Sequence, residues 1–113
     1  MIPLKTKYLN NYTGMTLWPF LLIRHKSKLG DQVFMNHENI HAVQQKELLI
    51  IVFHIWYAAD YFIKLIKHRN HNLAYRNIVF EREAYEMETD PEYLKSRKLF
   101  SFLKFYSKKY RYE

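Results

Sequence analysis

The chain has 113 residues, a length that suits one domain and is short for two. Apolar residues make up 49% of it and aromatic residues 18%, which excludes a disordered or low-complexity protein. It has no cysteine, so any bound metal must be held by His, Asp or Glu side chains. The formal net charge is +7, and a basic surface can attract nucleic acid or an anionic membrane.

The first thirty residues predict a short β region. Segment 15–24 is rich in apolar and aromatic residues, and Pro19 within it argues against a central strand. We therefore expect an edge strand or a short hairpin there, followed by a turn over 28–31. Asp31 is then a natural N-cap for a helix that begins after it.

The following sixty residues favour helices, because no glycine or proline occurs from Asp31 to Asp90. Pro91 is suited to the start of a further helix. We expect four helices. The first begins after Asp31, the second covers 48–66, the third extends from about 73 to 88, and the fourth is a basic, aromatic C-terminal helix over 91–113. The predicted fold class is α+β and mostly helical, with a short N-terminal strand or hairpin in 1–30 and about four helices. We expect a single domain over 1–113, with a metal site in 31–88.

The most informative segment is 37–41, which has the sequence His-Glu-Asn-Ile-His. Residues four apart share a helix face, so His37 and His41 direct two imidazoles at one point. Two neutral imidazoles are half of the ligand set that zinc favours. Glu38 lies beside that point, where a carboxylate can accept a proton from a water molecule. The alternative is an ordinary polar helix face in which the motif arises by chance.

A tetrahedral zinc ion with two histidines and one water needs one more protein ligand. The downstream candidates are His54, His68, His71, Glu81, Glu83, Glu86 and Glu88. Among these, Glu81 begins a Glu-x-x-Ala pattern that ends at Ala84. HExxH followed by Glu-x-x-Ala resembles the gluzincin zinc metallopeptidases, particularly their very small single-domain members. The resemblance covers about residues 31 to 88.

This resemblance implies a peptidase that binds Zn²⁺ and hydrolyses peptide bonds. In this chain the implied metal ligands are His37, His41 and Glu81, and the implied general base is Glu38. Ala84 matches the small residue that the family places three positions after its ligand glutamate.

The resemblance departs from the family pattern at Tyr85. An Asp or Asn that orients a ligand histidine is usual at that position, so the orienting role has no assigned residue here. Glu83 stays the second choice as metal ligand.

A peptidase also needs a group that stabilises the developing oxyanion. Candidates close to Glu81 in sequence are Tyr85, Tyr75, His71 and Arg82, although tyrosines are more often packing residues than catalytic ones. The expected substrate is a peptide or protein, which an edge strand within 17–24 could hold as an added strand.

The position of Glu81 sets a geometric requirement. A straight helix from His41 to Ile66 would extend about 37 Å, and a return from Asn70 to Glu81 recovers only about 16 Å. Glu81 would then miss the histidines by about 20 Å. If Glu81 binds the metal, the chain must bend sharply between residues 45 and 61, and a reversal near 58–60 would also serve.

The apolar run 48–66 is the one candidate for a membrane span. It contains His54, Asp60 and Lys64, so we expect a core or amphipathic helix and no single transmembrane span. Segment 1–5 lacks the apolar core of a signal peptide. We expect a cytoplasmic or peripherally membrane-associated protein, whose basic C-terminal segment could face solvent, contact an anionic bilayer or cover the site.

Two other function classes stay open. The chain could be a non-catalytic basic and aromatic module that binds an anionic membrane surface or nucleic acid. Of these two partners, nucleic acid is disfavoured because no known nucleic-acid motif occurs. It could also be a zinc-binding relative of the peptidases that is inactive or self-inhibited.

Overall fold

A computed structural model describes residues 1–9 and 12–113. Within these residues, the strands are β1 (Ile2–Lys5), β2 (Gly14–Leu17) and β3 (Phe20–Ile23). The helices are α1 (Gln32–Glu47), α2 (Ile51–His68), α3 (His71–Asn77), α4 (Val79–Met87) and the single turn α5 (Tyr93–Ser96). Short 3₁₀ helices cover Lys26–Gly30, Ser101–Tyr106 and Lys108–Tyr110. The expected α+β, mostly helical fold class is confirmed.

The three strands form one sheet in the order β1-β3-β2. β2 and β3 are antiparallel and make the expected hairpin, with Leu17 opposite Phe20. β1 pairs with β3 in parallel, which makes β3 the central strand and β2 an edge strand. The expectation that Pro19 excludes a central strand is therefore wrong for β3, because Pro19 lies in the turn and disrupts no pairing there.

β2 packs closely against α1. A Cβ atom at Gly14 would clash with the ring of Phe34, so glycine permits this close approach. The side-chain amide of Gln45 donates to Thr16 O (2.7 Å) and accepts from Trp18 N (2.7 Å). These contacts place β2 directly beside the HExxH-bearing face of α1.

The start of α1 is as predicted. Asp31 has an extended backbone, and its Oδ1 accepts a hydrogen bond from Phe34 N at 3.0 Å. The preceding turn is a 3₁₀ helix, Lys26–Gly30, so the predicted turn over 28–31 lies at its end.

The chain bends by 114° between α1 and α2. The bend lies at Leu49 and Ile50, which have φ angles of 58° and 62°. Ile50 is the centre of a γ-turn in which Ile51 N donates to Leu49 O at 2.6 Å. The bend falls within the required interval 45–61 and is made without glycine or proline. The alternative reversal at 58–60 does not occur, since those residues lie inside α2.

The predicted helix from 73 to 88 is two helices, α3 and α4. Ile78 between them is buried and has an extended ψ of 133°. Its side chain cannot cap α4, and Asp60 of α2 does so instead, its Oδ2 accepting from Val79 N at 2.7 Å. A residue distant in sequence therefore fixes where the Glu81-bearing helix begins.

The predicted continuous helix over 91–113 is wrong. Arg97 has an extended ψ of 132°, which ends α5, and Phe100 then adopts a left-handed conformation with a φ of 59°. Phe102 and Phe105 are then buried from the 3₁₀ helix, and their spacing of three matches its period. These two rings join the aromatic core around Phe80.

α2 contributes less to the core than its composition suggests. Phe53, Asp60 and Lys64 are buried on its inner side. The large apolar side chains on its outer side are exposed, namely Ile51, Val52, Ile55, Phe62, Ile63 and Ile66. The expectation that the run 48–66 is a core helix is therefore wrong for this outer side.

Among the described residues, no single helix is long and apolar enough to cross a membrane. The bent pair α1 and α2, taken together, would be long and apolar enough to cross a membrane, by length and composition only.

The bend predicts an unusual response to glycine. Leu49 is 79% exposed and has a positive φ, so Leu49→Gly should relieve strain and raise the free energy of unfolding by up to about 1 kcal/mol. Ile55, exposed in the middle of α2, is the matched control, and Ile55→Gly should lower that free energy by about 1 kcal/mol. Urea denaturation followed by circular dichroism measures both. Equal destabilisation by the two changes would contradict the positive-φ bend.

Candidate metal centre

The structure brings His37, His41 and Glu81 together at the contact between α1 and α4. Glu81 Oε1 lies 3.2 Å from His37 Nε2 and 3.1 Å from His41 Nε2, and the two nitrogens are 3.2 Å apart. All three residues are buried. Ligand atoms of a tetrahedral zinc ion, each about 2.0–2.1 Å from the metal, are about 3.3 Å from one another. The spacing of these three atoms fits that requirement.

The second nitrogen of each imidazole has its own partner. His37 Nδ1 lies 2.9 Å from Glu88 Oε2, and His41 Nδ1 lies 2.8 Å from Gln44 Oε1. Both partner atoms are hydrogen-bond acceptors, so each Nδ1 carries the proton and donates it. The lone pair of each neutral imidazole is then on Nε2, which points to Glu81.

Three acceptor atoms therefore converge with no donor between them when both imidazoles are neutral. Such a group requires a positive charge, supplied either by protons on the imidazoles or by a metal ion. Burial alone would lower the pKa of His37, but hydrogen bonds with Glu81 and Glu88 outweigh it and raise that pKa from 6.5 to about 10. The pKa of His41 is also raised, since the charge of Glu81 outweighs the effect of burial.

The pKa of Glu81 moves in the opposite direction. Burial alone would raise it, but the neighbouring His41 and His37 hold the pKa of this carboxyl well below its ordinary value. The site thus keeps an ionised carboxylate beside two imidazoles, which is the donor set of a zinc site with two histidines and one glutamate.

Glu38 lies beside this group on α1 and is buried. Its Oε1 accepts a weak hydrogen bond from Thr16 Oγ1 at 3.4 Å, so β2 helps to hold it. Burial raises the pKa of Glu38. His37, Glu38 and His41 each have one potential metal-ligand atom within 4.8 Å of those of the other two. Distance alone therefore also permits Glu38 as a ligand. Glu81 fits better, because one of its oxygens is within 3.2 Å of both nitrogens.

Glu83, the second choice as ligand, is directed away from the histidines. Its carboxylate accepts hydrogen bonds from Gln44 Nε2 (2.9 Å), Tyr93 OH (2.6 Å) and Arg97 Nε (2.6 Å). Arg97 also donates to Glu47 at the end of α1. Glu83 is therefore part of a buried ion pair that joins α1, α4 and the segment after α5.

The remaining candidate ligands have other positions. Glu88 supports His37 from the second nitrogen, a role that helix spacing could have indicated because it lies two turns after Glu81. His54 and His71 line the pocket beside the site, His68 ends α2, and Glu86 is exposed.

A pocket of about 320 Å³ opens beside Glu38, His41 and Glu81. Two of the proposed oxyanion candidates, Tyr75 and His71, line it. Tyr85 instead packs edge-on against His37, with ring centroids 4.5 Å apart. Arg82 donates to Asn77 Oδ1 and Phe105 O and so has a structural role.

Tyr57 is a site residue that the sequence did not indicate. Its hydroxyl donates to Glu81 Oε2 at 2.7 Å, which leaves Oε1 facing the histidines. Nothing in the local sequence distinguishes Tyr57 from other aromatic residues of α2, because its contact with Glu81 depends on the bend at Leu49 and Ile50.

Comparisons with protein-family models, with characterised proteins and with solved structures find no match for this chain. The resemblance of 31–88 to gluzincins therefore stays a prediction, supported by the motifs and by the geometry of the site.

Two neighbouring glutamates on α4 allow a matched test of the ligand set. Glu81→Gln should lower zinc affinity by at least about 100-fold, since it replaces a charged ligand in a three-ligand site. Glu83→Gln should instead lower the free energy of unfolding, because it leaves Arg97 less well compensated, and should retain stoichiometric zinc. Zinc titration with a competing chelator and urea denaturation measure the two effects. Equal zinc affinity in Glu81→Gln and the unsubstituted protein would reject Glu81 as a ligand.

The raised pKa of His37 predicts that zinc displaces a proton. At about pH 8 an ordinary histidine is neutral, but His37 in the metal-free protein keeps its proton because its pKa is about 10. Zinc binding should therefore release about one proton or more at that pH. In the metal-free protein, this raised pKa contributes stability that is complete below pH 6.5 and is lost as pH rises through about 10.

Calorimetry in buffers of different ionisation enthalpy measures the released protons. Glu88→Gln, which removes one cause of the raised pKa, should release fewer protons at the same pH. Zinc binding without proton release by the unsubstituted protein would contradict the arrangement of acceptors described above.

Proposed function

We propose that this protein is a zinc-dependent metallopeptidase of the gluzincin type. The observation that supports the proposal is the convergence of His37 Nε2, His41 Nε2 and Glu81 Oε1, with the Glu38 carboxylate beside them. A bound zinc ion would polarise the scissile carbonyl and lower the pKa of a water molecule.

Glu38 acts in this proposal as the general base. It is held beside the histidines by the backbone of α1 and by Thr16, and burial raises its pKa toward the range in which a carboxylate can both accept and return a proton. Glu38 takes a proton from the attacking water and delivers it to the leaving amine, so it ends the reaction unprotonated.

Tyr75 is the best candidate for stabilising the oxyanion. It lines the pocket, and burial together with the charge of Glu81 raises its pKa, so the hydroxyl keeps the proton that it would donate. His71 also lines the pocket, but its two nitrogens already contact Tyr12 OH (3.0 Å) and Tyr61 OH (2.9 Å). The Tyr75 hydroxyl has a hydrogen bond with Tyr85, one partner against the two that His71 has among the described residues.

The strand that would hold a peptide substrate is β2, and not the predicted interval 17–24, most of which forms the central strand β3. Thr13 O bonds to Arg24 N, so the alternation of the ladder turns the peptide groups of Gly14 and Thr16 toward the free edge. Gln45 already occupies Thr16 O and Trp18 N on that edge. A substrate strand would therefore pair at Gly14 and at the N–H of Thr16.

The C-terminal segment contacts a different part of the molecule. Phe102 packs against Trp56 and Phe80. Within the described residues, every residue that lines the pocket lies between Tyr12 and Glu81 in the sequence. The expectation that this segment could cover the site and inhibit it is not supported.

The role of Glu38 predicts a separation of binding from catalysis. Glu38→Gln keeps the size of the side chain but removes the base, so hydrolysis should fall by at least about 100-fold while zinc affinity stays nearly unchanged. Cleavage of an unfolded protein such as casein, followed by mass spectrometry, measures activity, and metal analysis measures zinc. Glu86→Gln makes the same chemical change at an exposed position of α4 and should leave the activity unchanged. Full activity in zinc-loaded Glu38→Gln would reject the assignment of Glu38.

A further inference from the structure

The outer side of α2 is an exposed apolar surface. Ile51 and Ile66, near its two ends, are 71% and 78% exposed, and the side chains between them on this side are exposed as well. We call this the α2 outer face: Ile51, Val52, Ile55, Ala58, Ala59, Phe62, Ile63 and Ile66. These positions recur at helical spacing, so they form one continuous stripe along the helix. The stripe covers several hundred Å², on the order of the largest apolar patches that soluble monomers expose.

The surroundings of this face are basic. The carboxylate of α2, Asp60, is buried and paired with Lys64 at 2.9 Å, so it adds no negative charge to the outer face. Exposed Lys67 and Arg69 follow the C-terminal end of the face. An acidic protein surface or an anionic lipid surface would complement this charge, whereas a second copy of the chain would bring like charges together.

The C-terminal segment extends the same character. Trp56 Nε1 donates to Tyr106 OH at 2.8 Å, which fixes this segment beside α2. Leu99 and Leu103 are exposed on it, next in sequence to Lys98 and Lys104. No acidic residue occurs from 93 to 112. Exposed apolar side chains interleaved with lysines, with aromatic residues beside them, are the composition of segments that lie in a membrane interface.

We propose that the α2 outer face and segment 98–104 form a docking surface for an anionic lipid bilayer. The apolar stripe enters the boundary between headgroups and acyl chains, and the lysines and Arg69 contact the lipid phosphates and carboxylates. Phe53, Tyr57 and Tyr61 lie on another side of α2 and line the pocket, so the pocket stays outside the bilayer. This proposal does not depend on catalysis or on a bound metal.

Co-sedimentation with lipid vesicles tests the docking surface. The full chain should bind vesicles of phosphatidylcholine mixed with phosphatidylserine, bind vesicles of phosphatidylcholine alone at least about tenfold less tightly, and lose binding as salt is raised. Ile55→Ser combined with Phe62→Ser should weaken binding at least about tenfold, since it removes exposed apolar groups from the stripe. Val33→Ser, an exposed apolar change on α1, is the matched control and should leave binding unchanged.

A second variant tests the charge. Lys67→Glu combined with Lys104→Glu should weaken binding to the anionic vesicles and reduce its salt dependence, with the circular dichroism spectrum unchanged. Failure to bind either vesicle, equal binding to both, or binding unaffected by the stripe variant would overturn the proposal. A dimer in sedimentation velocity that dissociates in the Ile55→Ser, Phe62→Ser variant would also overturn it, in favour of a second copy on this face.

Discussion

The side chain of Gln44 is the constraint on which the geometry of the site depends. It is fully buried, and its Nε2 donates to Phe80 O (3.1 Å) and Glu83 Oε1 (2.9 Å) on α4. Because both donor positions are used there, Oε1 must face His41 Nδ1. One amide therefore joins α4 to α1 and also determines that the lone pair of His41 lies on Nε2. Helix packing and ligand orientation cannot vary independently in this molecule.

Two glutamates on α4 differ in how their charges are compensated, and this difference distinguishes the candidate ligand from the structural residue. Glu83 is neutralised by Arg97 and so needs no further cation. Among the described residues, Glu81 has only a hydroxyl and two imidazoles as partners, and the imidazoles compensate its charge fully only when they are protonated or bind a metal. The buried charge of Glu81 can thus be compensated in two ways, by protons on the histidines or by a metal ion, and pH determines how many protons a zinc ion would have to displace.

The sequence predicted the parts of the structure that depend on short-range spacing or on simple distances. The i, i+4 pair of histidines, the N-cap at Asp31 and the hairpin around Pro19 follow from local rules. The need for a bend between 45 and 61 followed from helix length alone. Gln44 lies one turn after His41, so its support of that histidine could have been predicted from helix spacing. The family resemblance favoured Glu81 over Glu83, and the pairing of Glu83 with Arg97 supplies a physical reason that the sequence could not give.

The boundaries that the sequence missed are set by contacts between distant residues. Ile78 interrupts a helical pattern because Asp60 caps α4 at Val79, and that cap cannot be anticipated without the packing of α2 against α4. The C-terminal segment has helical periodicity, but the chain turns at Arg97 and Phe100, and Phe102 and Phe105 reach the core from a short 3₁₀ helix. In both places tertiary burial outweighs local propensity.

The bend at Leu49 and Ile50 connects the candidate metal site with the exposed apolar face. Without it, α1 and α2 would form one rod and Glu81 would lie about 20 Å from the histidines. With it, α2 turns Tyr57 toward Glu81 and Asp60 toward the start of α4, so the inner side of α2 is committed to polar contacts with the site and its supporting helix. The apolar residues on the opposite side then have no neighbouring element to bury them within the described fold. Positive φ angles at two aliphatic residues are costly, and the same strained turn both closes the site and leaves a lipid-compatible surface behind it.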